Sequence, residues 1–398
     1  MCSSSDLEMV LDLGTMPLAN AFLSEEDLDK EEQHYPLAIN FCQNCFSVQL
    51  SHTVNANLLF KNYHYVTSAS RPLAEHFYVL ADEIYEKYIQ SPKDLVVEIG
   101  SNDGCLLFRL KGKCRILGID PAENVTRTAK EEKVPTVTDF FTTELVKKIK
   151  PKIGPARVVV ANNVMAHIDN LRDVFYGVKE FLADDGCFIF EVHWVGNLLT
   201  KGGFDQIYHE HLYYHSLHNL KTLLESLGMV LNDVKLIPIH GESLRVYAGK
   251  TGKSSLAVEN FLKREVEMGL TKSETFVNFS KKIETNKKKL TEFLRGLKEE
   301  GKNIVGYGAP AKGNTLLNYF HIGPDILEYV TDTTPSKQGT YTPGTHIKVV
   351  SPEMLKKDSP DFILLLSWNY ADTILEKEKD LRNNGVKFII PVPEVRIV

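Results

Sequence analysis

Apolar and polar positions follow two periods along this chain. Short apolar runs closed by a polar residue read as buried strands, and apolar residues recurring every three or four positions read as helices. Residues 95–98 (LVVE), 116–120 (ILGID), 158–163 (VVVANN) and 188–194 (FIFEVHW) are of the first kind, and 137–140 (VTDF) is a shorter candidate. SLHNLKTLLESLG is of the second kind, with Leu217, Leu220, Leu224 and Leu227 on one side and Gly228 as its stop. MVLNDVKLIPIHGESLRVYAGK follows as a β-hairpin pattern. Residues 255–300 are helical, with Phe276, Phe279, Ile283, Leu290, Phe293 and Leu297 forming one stripe for a core or an interface. A second strand–turn–helix series then runs from NIVGYGAPAKGN through YVTD and FILLLS to WNYADTILEKEKDL, a smaller α/β unit.

Composition narrows this little. The 398 residues are 43 % apolar and 25 % charged with a net charge of −6, an ordinary globular balance. No stripe of Lys and Arg with interleaved aromatics points to nucleic acid; KKIETNKKK reads as a solvated helix face. Without a run of 18 apolar residues or a charged-then-apolar start, no membrane partner is expected and a cytoplasmic location is the default. The length suits two or three domains.

The chemistry begins at DLVVEIGSNDG. A strand ending in Glu98, a turn at Gly100, and then Ser101, Asn102, Asp103 and Gly104 ahead of a helix bring backbone close to a nucleoside. The dinucleotide pattern G-x-G-x-x-G is absent here, and an acidic, small-residue turn suits a ligand with cationic sulfur and amine and no phosphates. S-adenosylmethionine is such a ligand. Asp120 stands 22 positions after Glu98, the separation at which a doubly wound sheet sets a carboxylate against ribose hydroxyls. Asp139 is placed to accept from an adenine amino group, and Asn162 and Asn163 to face the ligand. A dinucleotide reading, or helix capping alone for Asp120, is the competing account.

Six cysteines include one close pair, Cys42 and Cys45, with Cys2 upstream. Three thiolates, with His34, His52 or water as a fourth ligand, would hold a structural zinc; an empty, incomplete site is the alternative. The densest ionisable cluster is YHEHLYYH, from Tyr208 to His215. It reads as metal ligands (His209, His211, His215), as a structural pocket wall, or as acid–base machinery. Methyl transfer to a carbon next to a ketone needs a base, a donor to the developing oxyanion and positioning, and a His, a Glu and a Tyr supply these.

LDLGTMPLANAFL with FCQNCFSVQL, EIGSNDG, ANNVMAHI, YHEHLYYHSL, HGESLRVY, GAPAKGNTLLNY and YTPGTHI resemble the blocks of the S-adenosylmethionine-dependent sugar C-methyltransferases, which act on nucleotide-linked 4-keto-deoxysugars. The likeness runs along almost the whole chain. It implies an α/β fold: a class I methyltransferase doubly wound sheet, with a small N-terminal zinc-type domain and a C-terminal Rossmann-like domain. The corresponding boundaries are 1–68, 69–254 and 255–398. It implies that His211 removes the sugar C3 proton with Glu210 and Tyr208 beside it, and that Tyr208, His167 and Tyr65 lie near the keto and enolate oxygens. His240, Arg245, Gly308, Lys312 and Asn314 are the implied contacts to a nucleotide-diphosphate sugar. Two departures stand out. Cys2 alone matches the family's first cysteine pair, and Glu242 stands where a small residue is commoner, which bears on substrate identity. A competing reading is an NAD-dependent oxidoreductase or epimerase using Gly306, Gly308, Gly313 and Asp332; another is a non-catalytic zinc-stabilised binding module. Oligomeric state is not legible.

Overall fold

The computed structural model describes residues 1–60, 66–238 and 242–398. Three sheets organise them. The central one has seven strands in the order Val230–Ile237, Ser243–Gly249, Leu182–His193, Ala156–Asn162, Leu95–Ile99, Arg115–Ile119, Thr136–Val137. All neighbours are parallel except Ser243–Gly249, which runs antiparallel to both of its own. This is the class I methyltransferase sheet, closed by the hairpin that the pattern at 229–250 predicts. Its strands are apolar on both faces because helices cover both. Val96, Val158 and Ile189 point to one cluster with Leu80, Ala81 and Ile84 of the helix Arg71–Tyr88. Val97, Val159, Phe188 and Phe190 point to the other, against Phe175 and Phe181. Each such phenylalanine, fully buried, contributes about 1.5–3 kcal/mol.

The N-terminal sheet pairs Leu7–Pro17, His34–Cys42 and Val48–Leu50, and takes a fourth strand, Tyr213–Tyr214, from far along the chain. Val48 pairs with Tyr214 and Gln49 with Tyr213. The YHEHLYYH segment therefore belongs to two units at once. The C-terminal sheet has six strands in the order Val349–Val350, Val330–Thr331, Ile304–Tyr307, Phe362–Leu365, Lys387–Ile390, Arg396–Ile397, parallel up to the last.

The helical stretch at 255–300 is two helices, Leu256–Glu267 and Ser273–Glu299. In the longer one Phe276, Phe279, Ile283, Leu290, Leu294 and Leu297 are buried, whereas Phe293 is only partly so. Phe276 packs on Phe41 of the N-terminal sheet, ring centres 5.4 Å apart. Ten residues further on, Asn286 donates to the Pro391 carbonyl at 2.7 Å. This helix therefore ties the outer two sheets together. Among the described residues, no helix is long and apolar enough to cross a membrane.

Candidate active site

The carboxyl ends of the central strands open into a cavity of about 1590 Å³, roofed by the N-terminal and C-terminal units. Glu98, Gly100, Ser101, Asn102, Asp120, Asn162 and Asn163 all line it. Gly100 has φ +66°, and a β-carbon there would stand 2.9 Å from Val164 Cγ2. Only glycine meets both demands without strain. Asn102 also takes a left-handed backbone, φ 51°. Its N–H donates to Asp120 Oδ2 at 2.9 Å, and its Oδ1 accepts from the N–H groups of Thr67 and Asp103 at 3.0 Å each. Asp120 Oδ1 accepts from the Ala122 N–H at 2.9 Å. The turn is thus cross-braced before any ligand arrives.

Several polar atoms around it are buried without a hydrogen-bond partner: Glu98 Oε2, Ser101 Oγ, both amide atoms of Asn162, and Asn163 Oδ1. Each such group costs about 1–3 kcal/mol when left unmade, so the cradle fits a ligand bearing its own donors and acceptors. Burial raises the Glu98 carboxyl well above its ordinary range; the Asn162 amide, close by but outside hydrogen-bonding geometry, opposes this. Burial likewise raises Asp120. Three residues of the predicted set stand off the cavity wall. Asp103 turns its Oδ2 to the Ser68 N–H at 3.1 Å, and Gly104 opens the helix Cys105–Leu110 with φ +77°. Asp139 is exposed and accepts from the Phe140 N–H at 2.8 Å. Phe140, Phe141 and Thr142 take the wall position instead.

Opposite the cradle lies the YHEHLYYH segment. His211 Nδ1 lies 3.0 Å from the Gln206 carbonyl oxygen, to which it donates. That leaves Nε2 as the acceptor, and the Tyr208 hydroxyl lies 3.0 Å from it. The tautomer is fixed by a main-chain carbonyl and not by the Glu210 carboxylate. Glu210 faces the other way, its Oε1 accepting from Asn20 Nδ2 at 2.6 Å, and burial raises its carboxyl. The Glu210 carbonyl accepts from His167 Nδ1 at 2.7 Å. Burial lowers the His167 pKa, against the hydrogen bonds to Glu210 and Asn163, so its ring is neutral at pH 7. The rings of His167 and His193 lie 5.1 and 5.5 Å from that of His211. Tyr208, Glu210, His211, His167 and His193 all line the cavity. The metal reading of the segment finds no support in this geometry: His209 Nε2 donates to the Tyr35 carbonyl at 3.2 Å, and His215 is buried beside Asn219.

Tyr65 and His240 lie outside the described residues. Arg245 is off the cavity: its guanidinium is buried between Glu83 at 3.0 Å and Glu191 at 2.7 Å, with His76 also on Glu191. Asn314 is buried too, donating to the Ala19 carbonyl at 2.7 Å. Gly308 sits at φ +85° under Ser367, where a β-carbon would stand 2.2 Å from Ser367 Oγ. Lys312 does line the cavity. The carboxylate of Asp332, the ribose contact in the NAD reading, accepts from the N–H groups of Ala309 and Thr334 at 2.8 Å each. Both of its oxygens brace the loop, as those of Asp120 do in the first turn. The sequence reading missed His193, Gln206, Asn20 and Trp368; His193 carried a signal, as the last residue of its strand.

In the N-terminal unit the sulfur atoms of Cys2, Cys42 and Cys45 lie within 4.8 Å of one another. Neither His34 nor His52 joins them. Burial raises the Cys45 thiol to about 12; at Cys2 burial is outweighed by hydrogen bonds from Asn44, Ser4 and the two other cysteines, which bring it to about 7. Three converging sulfurs, one easily ionised, fit a structural zinc.

Three protein-family profiles match the chain. Residues 1–60 match a zinc binding domain, residues 73–233 a methyltransferase domain, and residues 238–393 the C-methyltransferase C-terminal domain. The chain belongs to the S-adenosylmethionine-dependent C-methyltransferase family. It is 37 % identical over 403 residues to the C-methyltransferase NovU of Streptomyces niveus, covering 100 % of this chain and 96 % of that one. Among solved structures it is similar to the magnesium protoporphyrin IX methyltransferase of Synechocystis PCC 6803 with bound SAM (14 % identity, 45 % of this chain, 82 % of that one, TM-score 0.34). It is also similar to an S-adenosylmethionine-dependent methyltransferase of Clostridium acetobutylicum (12 % identity, 44 % of this chain, 90 % of that one, TM-score 0.35).

Proposed function

We propose that the protein methylates C3 of a nucleotide-diphosphate 4-keto-deoxysugar, with His211 Nε2 as the base. The observation that carries this reading is the ordered chain Gln206 carbonyl, His211 Nδ1–H, His211 Nε2, Tyr208 hydroxyl at the mouth of the cofactor cradle. A ring locked by a carbonyl presents one basic nitrogen to the cavity. Bound S-adenosylmethionine supplies an electrophilic methyl group on sulfonium.

The residues around it do the rest. His211 Nε2 takes the C3 proton. The Tyr208 hydroxyl turns from Nε2 to the sugar's C4 oxygen and donates to it as charge gathers there. The C3 carbon of the enolate is then the nucleophile. Neutral His167 holds the Glu210 main chain and so the register of the segment. Tyr65 is assigned to the same oxygens by resemblance. Glu98 and Asp120 hold the cofactor's amine and ribose, Asn162 and Asn163 complete its wall, and Lys312 faces the diphosphate.

The test is proton exchange as well as turnover. Thymidine, guanosine and cytidine diphosphate 4-keto sugars are incubated with the protein and S-adenosylhomocysteine in heavy water, and deuterium at C3 is read by mass spectrometry. Exchange in the wild type that is lost in His211→Ala supports the base; equal exchange in both removes it. With S-adenosylmethionine, a product heavier by one methyl at a position other than C3 overturns the regiochemistry. Stabilisation by NAD but not by S-adenosylhomocysteine in a thermal-shift titration would favour the oxidoreductase instead.

A further inference from the structure

Two opposite charges are buried beside one indole ring. Lys312 lies in the first turn of the helix Ala311–Phe320. Its ammonium is closed off from solvent without a hydrogen-bond partner, 3.9 Å from the centre of the Trp368 ring. Trp368 Nε1 donates to Asp205 Oδ2 at 2.6 Å. Asp205 is itself fully buried, and its Oδ1 has no partner. The two charges feel each other without touching. A buried cation and a half-satisfied carboxylate are each costly, and stacking on an indole offsets only part of that for the lysine. Lys312 and Trp368 both line the cavity, so an anion arriving there comes under the lysine's charge.

Asp205 has a second attachment. It is the middle residue of the turn Phe204–Gln206, whose last carbonyl holds His211 Nδ1. Phe204 stacks on Phe320, ring centres 5.1 Å apart and planes within 10°, at the far end of the helix that carries Lys312. The turn that sets the base is fastened at two points to the unit that carries the lysine.

We propose that Asp205 is a positioning residue joining the two ends of the substrate site: its charge keeps Lys312 a receptor for a diphosphate, and its turn holds His211 in register with that receptor. The inference rests on the nucleotide-diphosphate substrate proposed above and adds the residue that couples its two halves.

Burial pushes the Lys312 ammonium down to about 8, and the Asp205 carboxylate is the charge that pulls it back up. The other charged groups on this part of the wall are Lys337, donating to the Ala309 carbonyl, the Lys201–Glu242 pair at 3.6 Å, Asp372 and Arg396. As pH rises through about 8, Lys312 loses its proton and diphosphate affinity falls. With the Asp205 charge removed, the same fall comes at lower pH.

Calorimetric titration of thymidine diphosphate, uridine diphosphate and inorganic pyrophosphate into protein saturated with S-adenosylhomocysteine, across pH, reads this directly. Asp205→Asn keeps an oxygen for the Trp368 N–H and removes the charge. Its affinity midpoint moves acidward by about half a unit or more. Asp205→Ala, which also loses the hydrogen bond, lowers kcat by about tenfold. Lys312→Met weakens diphosphate binding at least about tenfold at neutral pH and shows no alkaline midpoint. An unmoved midpoint in Asp205→Asn, or wild-type affinity in Lys312→Met, overturns the proposal, and neither measurement depends on Asp205→Ala folding. Binding is read without turnover. A protein that shows this binding pattern yet methylates no nucleotide sugar supports the charge couple and overturns the substrate proposed for the enzyme.

Discussion

Asn20 reaches across 190 positions of sequence to donate its side-chain amide to Glu210 Oε1 at 2.6 Å. The loop that follows the first strand of the N-terminal sheet thus closes on the residue next to the proposed base. Asn20→Ala leaves a buried carboxyl group without its donor, so stability falls by about 1–3 kcal/mol. Turnover drops with it while affinity for S-adenosylhomocysteine holds. Denaturant melts and calorimetry check both halves, and an unchanged kcat would show Glu210 to be remote from the chemistry.

His211→Ala removes the ring nitrogen proposed to take the substrate's proton, and methyl transfer falls at least about 10³-fold. Tyr208→Phe keeps the ring and loses the donor, so kcat falls about 10²-fold. Cofactor affinity stays near wild type in both, because neither residue belongs to the turn from Gly100 to Gly104. Single-turnover assays beside calorimetry separate the two effects.

Gly100→Ala is expected to cost about 1–2 kcal/mol from its left-handed backbone alone. The new methyl group would also stand 2.9 Å from Val164 Cγ2, pushing the turn out of place. Affinity for S-adenosylhomocysteine should weaken at least about tenfold, while nucleoside diphosphate binding at Lys312 is preserved. Equal weakening of both ligands would mean a general loss of fold.

Elemental analysis should find one zinc ion per chain, bound through Cys2, Cys42 and Cys45. Chelation, or Cys42→Ser, lowers the melting temperature, because three sulfurs no longer fasten the segment before the first strand to the end of the second strand and the turn after it. Protein that carries no zinc and is indifferent to chelator refutes the site.

His215 is fully buried and desolvation lowers its pKa from 6.5 to about 4. The unfolded chain therefore binds a proton that the folded one refuses between those values, so stability is whole above pH 6.5 and drains away as pH falls towards 4. The difference is worth at most about 3 kcal/mol. Buried carboxyls such as Glu98 and Glu210, whose pKa values are raised, act in the opposite sense. A comparison of unfolding midpoints at pH 7 and 5 in wild type and His215→Asn isolates it: the variant loses less on acidification.

The strands of the central sheet and the turn after Glu98 were legible because both are local. Glu98, Gly100 and Asp120 sit at ends of apolar runs, and strand ends face the cleft in any doubly wound sheet. Failures came where partners lie far apart in sequence. Arg245 reads as a substrate contact until its strand is set beside the one holding Glu191, 54 residues earlier, when it becomes a buried ion pair. Asn314 follows a glycine-rich turn, yet its amide holds Ala19 of the other end of the chain. Asp139 missed the wall by one residue, a shift that two-residue periodicity in so short a strand as Thr136–Val137 could not resolve. Nothing in the sequence marks the Gln206 carbonyl, since a main-chain acceptor has no letter.

The pairing of Tyr213–Tyr214 with Val48–Leu50 means that the proposed reaction centre has no single owner among the three units. Cutting away the first sixty residues would strip a hydrogen-bonded neighbour from the peptide immediately after His211, and grafting the central sheet alone onto another protein would carry over the cofactor cradle without a working base. The zinc-type sheet and the segment carrying the proposed base share one hydrogen-bonded ladder, so neither can be removed without disturbing the other.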